Sequence, residues 1–159
     1  MNDKDQFAVW IASKILRAND DGISASTLEA IARQSTSTKA LDDSLADSVA
    51  QSRRPGDFGV EFVVALLPIV LVEFGRLLWE EYTKALAKQG GDALAKLTID
   101  ASKALARKTW SMDAATLTLA EAEAKLKQAA VKAGLDATQT DMVIKSLRNP
   151  EVSAALGKP

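Results

Sequence analysis

The chain has 159 residues, with 20 Lys+Arg and 21 Asp+Glu, a formal net charge of −1. It contains no Cys and no His. Disulfides, zinc fingers, thiol nucleophiles, His-based triads and imidazole acid–base chemistry are therefore excluded. Hydrophobic residues make up 47% and charged residues 26%, as in a folded globular chain rather than a disordered one.

Charge is spread evenly. Residues 1–57 carry 7 basic and 9 acidic groups, 58–110 carry 7 and 6, and 111–159 carry 6 and 6. No third has the basic excess that nucleic acid requires, so nucleic acid is not an expected partner. The polar start, Met-Asn-Asp-Lys-Asp, lacks the basic and apolar runs of a signal peptide. The expectation is a cytoplasmic protein, with membrane association left open.

Helical spacing dominates, no alternating strand is found, and five or six helices are expected. The first spans about 4–18. Phe7, Ile11 and Ile15 recur every fourth residue, with Trp10 beside them. Asn19 to Gly22 is a turn signal. Ser26-Thr27-Leu28-Glu29 has capping-box form and predicts a short helix to about Arg33. Gln34 to Thr38 is a poor helix stretch, because Ser and Thr hydroxyls compete for backbone groups. Leu41, Leu45 and Val49 then resume helical spacing, with Asp42, Asp43 and Asp47 on the other side. Pro55-Gly56 breaks any helix. The main boundary is placed at this linker, which ends an N-terminal region of residues 1–57.

Residues 59–89 read as one long helix, roughly 45 Å at 1.5 Å per residue. Phe62 to Val72 is an unbroken apolar run that includes Pro68, where a kink is expected. On a helical wheel Glu73, Arg76, Glu80 and Lys84 share one narrow arc, with Glu73–Arg76 and Glu80–Lys84 spaced to pair. The rest is apolar, either the core of a soluble bundle or a surface for assembly or lipid, and Phe62, Leu66, Leu67, Val70, Leu71, Phe74, Leu77, Leu78 and Trp79 are the candidate residues facing a partner or lipid. The four charges are candidates for a subunit contact or a pore strip. Gly90-Gly91 ends this helix, and Asp92 is expected to cap another to about Lys108, with Leu94, Leu97, Ala101, Ala104 and Leu105 on one face. Together these form a central hairpin over residues 58–110.

Residues 111–159 read as a three-helix cluster. Thr118 to Glu121 is a capping box, Gly134 suits a C-terminal cap, Asp136 starts a short helix, and Asn149-Pro150 starts the last turn. The fold expected is all-α: a helical bundle with a long central hairpin and a small C-terminal cluster.

Chemistry is sparse. Phosphate-cradling glycine motifs are absent. Asp42, Asp43 and Asp47 fit no calcium-loop spacing and read as a solvated face. Glu121 and Glu123 read as helix N-terminal charges, and Tyr82, the only tyrosine, as a packing residue. Arg53-Arg54 reads as a solvated linker. Catalysis without His or Cys would need carboxylates, Lys, Ser or Tyr, so a non-catalytic protein is expected, with neither cofactor nor metal. Three functions are weighed. One is assembly, as a homo-oligomer or with a protein partner, through the central apolar hairpin. Another is a pore-forming or channel-lining membrane effector using the same helix. The last is a helix-turn-helix-like DNA regulator using Lys125, Lys127, Lys132, Lys145 and Arg148, which six acids offset. Assembly is the reading adopted. A span wants about 20 apolar residues, and each charge within it is costly.

Overall fold

The computed structural model describes residues 1–52, 60–88, 97–111 and 117–157, without the side chains of Ser52 and residues 60–62. Within these the chain is all-helical. The helices are α1 (Asp3–Ala18), α2 (Gly22–Gln34), α3 (Thr38–Ser52), α4 (Val60–Lys88), α5 (Ile99–Trp110), α6 (Leu119–Lys132), α7 (Ala137–Leu147) and α8 (Pro150–Leu156). Among the described residues eight helices stand where five or six were expected, because several are short and individually capped. The linker at 53–57, Gly90-Gly91, Asp92 and Leu94 lie outside the described residues.

The ends are fixed locally. The Asn2 side chain accepts the Asp5 amide and starts α1. After α1, Asp20 adopts φ 60°, and the amides of Asp20 and Asp21 close back onto the carbonyls of Arg17 and Leu16. This is the paired C-terminal motif that normally takes glycine at the left-handed position. The same motif closes α6, with Gly134 at φ 91° and Leu135 bonded to Ala130. The boxes at Thr118/Glu121 and Asp136/Gln139 and the Asn149-Pro150 start all form.

The Ser26 box does not start α2. Asp21 accepts the Ser24 amide at 3.1 Å, so α2 begins a turn earlier and Ser26 lies inside it. The cap expected at Asp92 falls outside the described residues; α5 begins after Thr98, whose hydroxyl accepts the Ala101 amide. Its buried face is Ser102, Ala106, Thr109 and Trp110, while Ala104 is exposed and Ala101 and Leu105 are half-buried. The short polar side chains bury because their hydroxyls bond to carbonyls of their own helix: Ser102 to Ile99 at 2.6 Å and Thr109 to Leu105 at 3.2 Å.

α4 runs through Pro68 as one helix and packs chiefly against α1, then α6, with a smaller contact to α5. α1 in turn carries α2, α5 and α8. At the α1–α4 crossing a Cβ placed on Gly75 would lie 2.6 Å from Ala8 Cα, so this glycine sets how closely the two helices approach. One core draws on all three segments of the chain, from Phe7, Ile11 and Leu16 through Leu71, Phe74 and Tyr82 to Leu126, Leu147 and Leu156.

Candidate functional site

The sequence singles out α4, and the structure divides its residues. Val70, Leu71, Phe74 and Leu78 are fully buried within the single chain, and Leu67 nearly so. They are core residues, one of the readings the sequence left open, rather than surface facing a partner or lipid. α1 fills that arc, because its own Phe7/Ile11/Ile15 stripe needs the same shelter. Leu66, Leu77 and Trp79 are half-buried at the edge of the core, and the Trp79 ring lies 5.9 Å from Phe7. The Phe62 side chain lies outside the described residues.

The opposite flank of the first half of α4 is different. Val64 is 48% exposed. Ala65, Leu66, Pro68 and Ile69 are half-buried. At 100° per residue Val64, Pro68, Ala65 and Ile69 follow one another round the helix. They form an uncharged outward strip about two turns long.

Most of the charged arc of α4 pairs with other helices of its own chain. Arg76 is its centre. Its Nε donates to Asp5 of α1 at 2.8 Å, and its Nη1 donates to Asp42 of α3 at 2.9 Å. Asp5 is 1% exposed and also accepts the Thr38 hydroxyl. Burial works against the Arg76 charge, but the hydrogen bonds to Asp5 and Asp42 outweigh it and hold its pKa above the ordinary arginine value. Glu73 lies 3.8 Å from Arg76, as its spacing predicts, and accepts from Lys132 of α6 at 2.8 Å. The expected Glu80–Lys84 pair does not form. Glu80 meets Lys4 of α1 at 2.6 Å, and Lys84 turns to Glu81 at 3.4 Å. Glu81 also meets Lys125 of α6 at 3.1 Å, and that hydrogen bond lowers its pKa. The strip thus ties α4 to α1, α3 and α6.

Other candidates resolve in the same way. Asp42 is bound to Arg76 and Asp43 to Lys39, so only Asp47 of that trio lacks an ion pair among the described residues. Among these residues no cluster of three or more acidic side chains is placed to hold a metal. Glu121 closes its capping box, and Glu123 takes Arg148 through both oxygens, at 2.9 and 3.1 Å. With Lys125 and Lys132 bound to α4, three of the five basic side chains weighed for DNA are already engaged within the chain. Tyr82 is fully buried, its hydroxyl shares a hydrogen bond with Thr109 at 2.9 Å, and burial pushes its pKa up to about 12.

Two features were not foreseen. Asp5 stands in the first turn of α1, where an acid suits the helix N-terminus. Yet it shares a face with Ala8, Val9, Ala12 and Leu16, all buried, and a lone acid in that stripe is the signal of a buried pair. An open groove of about 440 Å³ also runs between α1 and α2, lined by Met1, Gln6, Val9, Glu29, Ala32 and Arg33. Its lining comes from distant turns of two helices, which no motif connects. Glu29 there is held by Arg17 through both carboxylate oxygens.

No family model matches the chain, and neither a curated protein nor a solved structure matches it significantly. Among the described residues no helix is long and apolar enough to cross a membrane.

Proposed function

We propose that this is a non-catalytic helical protein that works by self-association through the outward apolar strip of α4. The observation that carries this reading is the Val64–Ile69 flank, uncharged and only partly covered by the described residues. A second copy suits it better than an unrelated protein. In a two-fold contact a patch meets itself, which an apolar surface tolerates and a single-sign charged one does not. The net charge of −1 adds no long-range repulsion between copies. The absence of His and Cys weighs against catalysis in general, and the buried, hydrogen-bonded Tyr82 is ill placed to act as an acid or base.

The test is sedimentation over a wide concentration range. The expected result is a mass that rises with concentration, and a monomer at every concentration for Val64→Asp or Ile69→Asp with the helical circular dichroism intact. A wild-type monomer throughout, or a Val64→Asp protein that associates like wild type, would overturn the reading. Flotation with anionic liposomes at both low and high salt would instead favour a membrane-active protein.

A further inference from the structure

We infer that α3 is a detachable strap, a helix that docks on α4 as a separate unit and swings off while the remaining core stays folded. The inference does not depend on self-association. α3 is nearly as long as α1, 15 residues against 16, but its anchorage is different in kind. α1 buries nine residues. Of the described side chains of α3, only Leu41 and Leu45 are buried, and Val49 is half-buried. Among the described helices α3 packs chiefly on α4 and α2.

A polar clamp adds to these contacts. Arg76 reaches Asp42 at 2.9 Å, and Thr38 donates its hydroxyl to Asp5. Its chemistry favours reversible release. The Asp42 side chain is already 49% exposed and returns to water readily. Asp5 and Arg76 remain bonded to each other at 2.8 Å, so the opened state buries no unpaired charge. Separating α1 from α4 would strand Asp5 or Arg76, so those helices open only with the whole core. Detached, α3 retains an internal Lys39–Asp43 pair and presents its Leu41/Leu45/Val49 stripe, while α4 bares the surface around Arg76.

Hydrogen exchange on the full chain tests this. Amides in the middle of α3 are expected to exchange at least about tenfold faster than those in the middle of α1 and α4. Asp42→Ala should raise α3 exchange several-fold, and Leu45→Ala by about tenfold or more, leaving α1 and α4 unchanged. Asp42 is half-exposed, so that variant keeps its fold even if Leu45→Ala does not. Protection of α3 equal to that of α1, or Asp42→Ala raising exchange in α1 and α4 in step with α3, would overturn the inference.

Discussion

Arg76 of α4 donates to Asp5 of α1 across 2.8 Å, a guanidinium 13% exposed meeting a carboxylate 1% exposed. Neither charge is well solvated, so each depends on the other. Replacing Arg76 by Met should strand Asp5 and cost about 3–5 kcal/mol. Asp42→Ala, which removes only the half-exposed partner, should cost under about 1 kcal/mol. The double variant Asp5→Leu/Arg76→Met should recover most of the loss, since no charge is then left buried. Urea denaturation of the three proteins checks this. Equal losses for Arg76→Met and Asp42→Ala would mean that Asp5 finds water when Arg76 is removed.

Gly75 lies in mid-helix, where alanine would ordinarily gain about 1 kcal/mol. Here a Cβ would come within 2.6 Å of Ala8 Cα and 2.8 Å of Ile11 Cγ2. Backbone cannot yield as a flexible side chain does, so α1 must move away from α4. Gly75→Ala should therefore destabilise the protein, by about 1–3 kcal/mol. Thermal unfolding measures it, and an unchanged or higher midpoint would show that the helices separate at no cost.

Asp20 holds φ 60° at the end of α1 and is exposed. A glycine there relieves the crowding that an L side chain suffers in that region. Asp20→Gly should stabilise by about 0.5–1 kcal/mol without altering the core. Asp20→Val, β-branched at the same φ, should destabilise. The two changes in unfolding free energy should have opposite signs.

Tyr82 is the only tyrosine, so its titration can be followed without overlap. Burial raises its pKa from 10 to about 12. The folded state therefore holds the phenol proton more tightly than the unfolded state. That contribution to stability is fully present below pH 10 and is lost as the pH climbs through about 12. Its size is at most about 3 kcal/mol. Tyrosinate absorbance should rise near pH 12 in folded protein and near pH 10 in denaturant. A folded-state midpoint near 10 would mean that water reaches the hydroxyl. Thr109→Val removes its hydrogen-bond partner and should raise the midpoint further.

Much of the local structure was legible because its causes lie within four or five residues. The Thr118 and Asp136 caps, the Gly134 stop and the Asn149-Pro150 start each need only a side chain and its own nearby backbone. Ser26 shows the limit of such reading. Its box is well formed in sequence, yet Asp21 captures an amide first, and one start excludes the other. The i, i+3 pair Glu73–Arg76 was legible for the same reason of short range. Glu80–Lys84 was not, because Lys4 brings its charge from another helix.

By itself the sequence determined that the chain is helical, that α4 needs apolar shelter on most of its circumference, and that imidazole and thiol chemistry are absent. Those conclusions follow from residue types and from a period of 3.6, both local properties. Only the tertiary structure decided what shelters α4. Its core arc went to α1, which approaches closely at Gly75 and Ala8, and its charged arc went to Asp5, Asp42, Lys4 and Lys132. An apolar surface is satisfied by any apolar neighbour of suitable shape, so periodicity cannot choose among them. The choice falls to steric fit and to buried charges that must find their counterparts across the chain.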